Sequence, residues 1–177
     1  MYSVMITIEA DFCNPISQDF YDKIIHSLSL NQITCTCGHT GSLIWYGAYS
    51  RRVRMADQVI LLRVARVFCS SCGHTHALLL SSIVPYSQIP LPVQAAIVQC
   101  YESKSGYRGI LAAQFFLDEN TISSIIRSYR RHWKERLRSH SLSLLSLSDL
   151  IDRCFSFFSR PFMQIKTTPN KLFLLPT

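Results

Sequence analysis

No apolar run in this sequence approaches the eighteen or so residues that a membrane-crossing helix needs, which sets aside a helical membrane protein. There is no internal repeat, so 177 residues leave room for one domain or two small ones rather than an array. Acid is scarce: 11 Asp and Glu face 18 Lys and Arg, for a net charge of +7 and a pI near 9.2. That balance favours a polyanionic partner over a small neutral ligand. The opening residues 1–9 lack a basic stretch and carry Glu9 early, unlike a secretory signal. The seven cysteines are therefore not expected to form a secreted disulfide framework.

Four of those cysteines carry the strongest pattern in the chain. Cys35-Thr36-Cys37-Gly38 and Cys69-Ser70-Ser71-Cys72-Gly73 each place two soft thiolates on a tight turn, followed by a glycine that permits the backbone geometry. Four thiolates around Zn²⁺ make a closed tetrahedral shell with no open position, so the expected metal is one structural zinc per chain. The first knuckle has one intervening residue instead of two, and His39, His74 or His76 could replace one of the four cysteines. A redox dithiol normally opens a helix, whereas Cys69 and Cys72 lie between two β-like runs. Cys13, Cys100 and Cys154 lack partner spacing and read as apolar residues, Cys100 on a helical face with Val93, Ala96, Ile97 and Tyr101.

The expected fold is α+β: a small three-stranded zinc ribbon, then an all-α helix-turn-helix domain, then a C-terminal helical tail. The expected boundaries are 1–31 for an N-terminal strand and helix and 32–84 for the ribbon. A proline-containing linker at 85–91 leads to the helical domain at 92–138 and an apolar tail at 139–177. Strands are expected at 4–8, 42–49, 59–68 and 74–80, where β-branched, aromatic and aliphatic residues concentrate. Arg51, Arg52 and Arg54 are expected at the turn of the ribbon hairpin, with Arg63 and Arg66 on its second strand. Those arginines could contact a polyanion or simply offset the negative charge of a four-thiolate zinc centre.

Helical periodicity begins at Pro92. Helices are expected at 92–104 and 107–116, followed by a turn at 117–119 and, capped by Asn120, a third helix to about residue 137. Ile122, Ile125, Ile126, Tyr129 and Trp133 recur with the spacing of one buried stripe. The opposite face carries Thr121, Ser124, Arg127, Ser128, Arg131, Lys134 and Arg138. Six Lys or Arg fall between Arg127 and Arg138 against the single Glu135, too lopsided for ion pairing along the helix. Arginine suits guanine edges and phosphate, and serine and threonine suit phosphate oxygens, so double-stranded DNA is the expected partner. The turn lacks the usual glycine and carries acidic Asp118 and Glu119.

The order of cysteine unit and helix pair resembles the N-terminal region of several insertion-sequence transposases. The runs Cys35-Thr-Cys-Gly-His-Thr-Gly, Gly47-Ala-Tyr-Ser-Arg51, Arg66-Val-Phe-Cys-Ser-Ser-Cys-Gly-His-Thr-His-Ala77 and Val84-Pro-Tyr86 are similar to an uncharacterised bacterial zinc-ribbon family found near mobile elements. The resemblance spans about residues 32–138. It implies Cys35, Cys37, Cys69 and Cys72 as zinc ligands and a DNA-associated role in the bacterial cytoplasm, at the nucleoid. A transposase proper also needs a carboxylate triad on an RNase-H-like domain holding two metal ions. Only Asp149 and Asp152 follow the helix pair, so the expectation is a stand-alone accessory factor or regulator without catalytic residues.

In the tail, Leu144, Leu145, Leu147, Leu150, Ile151, Cys154, Phe155, Phe157 and Phe158 are apolar, with Ser148 a candidate cap. Packing onto the helical domain, pairing with a second copy, and binding a transposase or recombinase all fit. The tail lacks a lysine-rich face for a membrane surface. Two other functions remain open: a protein-interaction module for a recombinase or polymerase, and RNA binding through Trp45, Tyr46 and Tyr49.

Overall fold

The computed structural model describes residues 4–10, 15–55, 58–106, 108–144, 147–158, 162–164, 167–168 and 171–172. Cys13 and Leu145, with the side chains of Leu147, Ser148 and Phe155, lie outside the described residues. In chain order the elements begin with β1 (Val4–Ile8), α1 (Gln18–Ser27), β2 (Leu43–Arg54), β3 (Val59–Cys69) and β4 (Thr75–Leu80). They continue with α2 (Leu91–Glu102), α3 (Arg108–Gln114), α4 (Glu119–His132), α5 (Lys134–Ser139) and α6 (Leu147–Phe158). Short β5 (Thr167–Thr168) and β6 (Lys171–Leu172) form a two-stranded sheet of their own. The chain divides into two compact units, Met1–Val53 with Ile60–Gln88, and Arg54–Val59 with Ile89–Phe173.

The structure overturns the expected small three-stranded ribbon followed by an all-α domain: the first unit holds a larger sheet, and the second carries the β5-β6 pair as well as its helices. The sheet of the first unit has four strands in the order β1-β4-β3-β2 and is mixed, with one parallel pair. β1 runs parallel to β4, from Val4 opposite His76 to Ile8 opposite Leu80. β4 is flanked on both sides, and all six of its residues are buried, polar Thr75 and His76 at its start and apolar Ala77–Leu80 after them. Ile6, Ile8, Leu78, Leu79 and Leu80 give this sheet a core independent of the cysteines, each side chain contributing about 1.5–3 kcal/mol.

Helix α1 completes the sheet. Ser17 caps it by accepting from the Phe20 amide at 3.1 Å, and Tyr21 and Ile25 bury one face. β3 pairs with β4 from Phe68 opposite Thr75 to Arg66 opposite Ala77. The next pair in register would be Ala65 and Leu78. Between them stands the Tyr21 hydroxyl, accepting from the Ala65 amide at 2.8 Å and donating to the Leu78 carbonyl at 2.9 Å. Two residues on, the Gln18 side-chain oxygen accepts from the Arg63 amide at 2.7 Å, and its NH₂ donates to the Arg63 carbonyl at 3.4 Å. Side chains of α1 thus take over the ladder where β4 leaves β3. At that point the burial of β3 changes parity, from Leu62 and Val64 to Val67 and Cys69.

In the second unit the expected helices form with shifted ends. α4 is capped by Asp118 instead of Asn120: its carboxylate accepts from the Thr121 amide at 2.8 Å. The missing turn glycine is replaced by Phe116, which sits at φ 52°, while the Leu117 amide reaches back to the Ala112 carbonyl and the Phe116 amide to that of Ala113. That is a Schellman-type end built on a non-glycine residue. Ile122, Ile125, Ile126 and Tyr129 are buried as the periodicity requires, and Trp133 is fully buried. At Trp133 the backbone turns (φ −122°, ψ −36°) and the expected single helix becomes α4 and α5. Phe162 packs edge-on to Trp133 at 5.3 Å, and Leu150, Ile151 and Cys154 of α6 are buried, so this part of the tail packs in cis. Cys100 is half-buried, not core.

Candidate metal centre and basic helix face

Both cysteine knuckles belong to the first unit, and the backbone of each is closed by its own hydrogen bonds. In the first, the Cys35 amide donates to the His39 carbonyl and the Gly38 amide to the Cys35 carbonyl, both at 2.8 Å. Thr34 and Thr40 bridge across its base. In the second, the Cys69 amide donates to the His74 carbonyl and the Gly73 amide to the Cys69 carbonyl, both at 2.9 Å. Gly38 and Gly73 adopt φ values of 89° and 70°, which disfavour a side chain. The Ser70 amide ties the second knuckle to the Ser42 carbonyl at 2.9 Å.

These turns bring the Sγ atoms of Cys35, Cys37, Cys69 and Cys72 within 4.8 Å of one another, an arrangement that could hold a metal ion. Cys35 stands 3.8 Å from Cys72, and Cys37 stands 3.8 Å from Cys69. Cys35 and Cys69 are buried, Cys72 is half-buried and Cys37 exposed. Of the histidines weighed as alternative ligands, His76 is fully buried, with Nε2 at 3.2 Å from the Cys35 sulfur. His39 Nδ1 lies 3.4 Å from Cys37.

The four thiols differ in how readily they ionise. Burial pushes Cys35 up to about 12 and also raises Cys72. Burial opposes ionisation of Cys69 too, but the Ser42 hydroxyl at 3.2 Å, the Cys72 amide and the neighbouring sulfurs bring it down to about 6. The His39 amide and ring lower Cys37. Neighbouring groups thus favour ionisation of Cys37 and Cys69, while burial disfavours it at Cys35 and Cys72.

The residues expected to face DNA are distributed unevenly. On α4, Ser124, Arg127 and Arg131 are exposed, while Thr121 and Ser128 are half-buried. The Thr121 hydroxyl is engaged, donating to the Asp118 carboxylate at 2.6 Å. That hydroxyl and the Thr121 amide hold the Asp118 carboxyl below its ordinary range. Lys134 is drawn to α2, where it pairs with Glu102 at 2.8 Å and lies over the Tyr101 ring. Arg130 was not singled out by the sequence pattern, yet it is exposed on the same helix. Its signal was present in the i, i+3 spacing from Arg127. Among the described residues, Arg127, Arg130 and Arg131 have no ion-pair partner. Burial first, then the guanidinium groups of Arg131 and Arg136, hold His132 below its usual range.

The hairpin arginines lie on β2 itself, not at its turn. Arg51 donates to the Val84 carbonyl at 2.7 Å and the Ser87 carbonyl at 2.8 Å. Arg54 donates to the Phe116 carbonyl at 2.8 Å. Arg52 is exposed. Arg51 and Arg54 therefore hold backbone in place, and Arg52 is the cation of the three that faces solvent most fully. No helix among the described residues is long and apolar enough to cross a membrane. No protein-family model matches the chain, nor does any curated protein or solved structure.

Proposed function

We propose that this chain is a DNA-binding protein whose first unit is held by one structural zinc ion and whose helix α4 contacts the duplex. The zinc assignment is supported by donor chemistry and spacing. Four thiolates favour a soft tetrahedral metal, and Zn–S bonds of about 2.3 Å imply S···S edges of about 3.8 Å. Two of the sulfur pairs, Cys35–Cys72 and Cys37–Cys69, match that edge at 3.8 Å. A four-thiolate shell leaves no coordination position for substrate, so the ion would fix the knuckles and take no part in catalysis.

The observation that carries the DNA reading is α4: a fully buried isoleucine stripe behind Arg127, Arg130 and Arg131, exposed and without acidic partners among the described residues. Arg127 and Arg131 lie about 6 Å apart along the helix axis, close enough to meet neighbouring phosphates or bases in a groove about 12 Å wide. A role as accessory factor or regulator at mobile DNA, without chemistry of its own, belongs to the same proposal and is supported by motif order alone. The test is equilibrium binding to a mixed-sequence duplex. Arg127→Ala and Arg131→Ala should each weaken it, whereas Arg51→Ala should act through stability alone. Undiminished binding by both helix variants would move the contact off α4.

A further inference from the structure

β2 is the edge strand of the first unit, and its first half is bare. Residues 44–48 are all exposed, among them Ile44 at 56%, Trp45 at 51% and Tyr46 at 60%. A soluble protein seldom leaves consecutive large apolar side chains in water without use for them. The surroundings are cationic. Between Asp22 and Glu102 the only acidic residue is Asp57, while Arg51, Arg52, Arg54, Arg63 and Arg66 all fall in this interval. The Arg66 guanidinium lies 5.7 Å from the centre of the Tyr46 ring, and Phe68 is tilted against the same ring at 6.0 Å. Arg52 and Arg63 are exposed on the same hairpin.

We propose that this edge is a second binding surface, for single-stranded DNA, in which Trp45 and Tyr46, projecting from opposite faces of the edge strand, stack on bases and the exposed Arg52 and Arg63 neutralise the backbone, while Arg66, donating to the Thr75 hydroxyl at 2.7 Å, steadies the Tyr46 ring. Aromatic faces interleaved with arginine recognise an unpaired strand in this way, because every base has a π-face and every linkage a charge. A duplex offers no free base faces. Apart from the Tyr46 and Ser50 hydroxyls, the exposed side chains of β2 are aliphatic, aromatic or cationic, which offers little to a ribose 2′-hydroxyl. The proposal goes beyond duplex contact by α4 and does not depend on it.

The protein carries its own reporter. Its two tryptophans are Trp45, half exposed, and Trp133, fully buried. The full-length, zinc-loaded protein would be titrated with oligothymidylate of about fifteen nucleotides, following intrinsic emission. The expected result is saturable quenching that is absent in Trp45→Phe, whose binding persists by anisotropy of a labelled oligonucleotide. Tyr46→Ala should weaken that binding about 5- to 150-fold, the effect of one lost base stack, with unchanged zinc content and far-UV spectrum. Arg127→Ala should leave it intact, which separates this surface from the helix. The proposal is overturned by the absence of quenching, by equal binding of duplex at the Trp45 reporter, or by binding of oligouridylate alone. A concentration-dependent dimer abolished by Tyr46→Ala would equally overturn it and assign the edge to a second copy.

Discussion

Tyr21→Phe removes one oxygen from the place where α1 replaces β4 in the hydrogen-bond ladder. In the parent that oxygen satisfies the Ala65 amide and the Leu78 carbonyl, in a residue only 1% exposed. Phenylalanine fills the same volume and leaves both backbone groups unmet where water does not reach. Each costs about 1–3 kcal/mol, so the expected loss is about 2–6 kcal/mol. Against a total stability of about 5–15 kcal/mol this is a large fraction. Urea unfolding at neutral pH should show a lower midpoint with an unchanged slope. The pH dependence supplies a second arm. Burial holds the Tyr21 hydroxyl up to about 12 in the fold, against about 10 in the unfolded chain. A raised folded value means the contribution is whole below about pH 10, declines between about pH 10 and 12, and is gone above. The parent should lose about 3 kcal/mol across that window, a loss Tyr21→Phe cannot show. Burial pushes Tyr129 up to about 12 as well, but it is common to both proteins and cancels. A neutral-pH difference below about 0.5 kcal/mol, or a gap that stays constant to about pH 12, would refute the ladder role.

Purified protein should carry about one zinc per chain, and Cys69→Ser or Cys72→Ser should lose it; metal analysis of fresh protein checks this. Because Ile6, Ile8 and Leu78–Leu80 pack without help from the sulfurs, chelation should lower the melting temperature yet leave β4 amides protected from hydrogen exchange. Protection at Cys35 and Cys69 should vanish in the same experiment. Phe162→Ala should cost about 3–5 kcal/mol and weaken the near-ultraviolet signal of Trp133, against which Phe162 packs at 5.3 Å.

Local pattern made the knuckles and the stripe of α4 legible. Two thiolates and a glycine on a short turn are set by neighbours in sequence, as is the recurrence of Ile122, Ile125, Ile126 and Tyr129. The parallel pairing of β1 with β4 was not legible, because it joins segments far apart in the chain and no local period records it. The Tyr21 and Gln18 contacts to β3 escaped notice for the same reason. Asp118, read as a turn acid, became the cap because its carboxylate reaches the Thr121 amide. Lys134, placed on the DNA-facing side, was claimed by Glu102 of α2. The exposure of Trp45 and Tyr46 reverses the usual placement of strand aromatics, and no local pattern in the sequence records that β2 ends the sheet.

The most direct test of DNA contact by α4 is the salt dependence of duplex binding by the purified protein. Each phosphate neutralised contributes about 0.9 to the slope of log K against log salt. With Arg127, Arg130 and Arg131 engaged, the slope should be at least about −2.7, and should become shallower by about one in Arg127→Ala and again in the double variant with Arg131→Ala. A parent whose affinity is independent of salt, or a slope unaltered in the double variant, would contradict the assignment of α4 as the duplex-binding element.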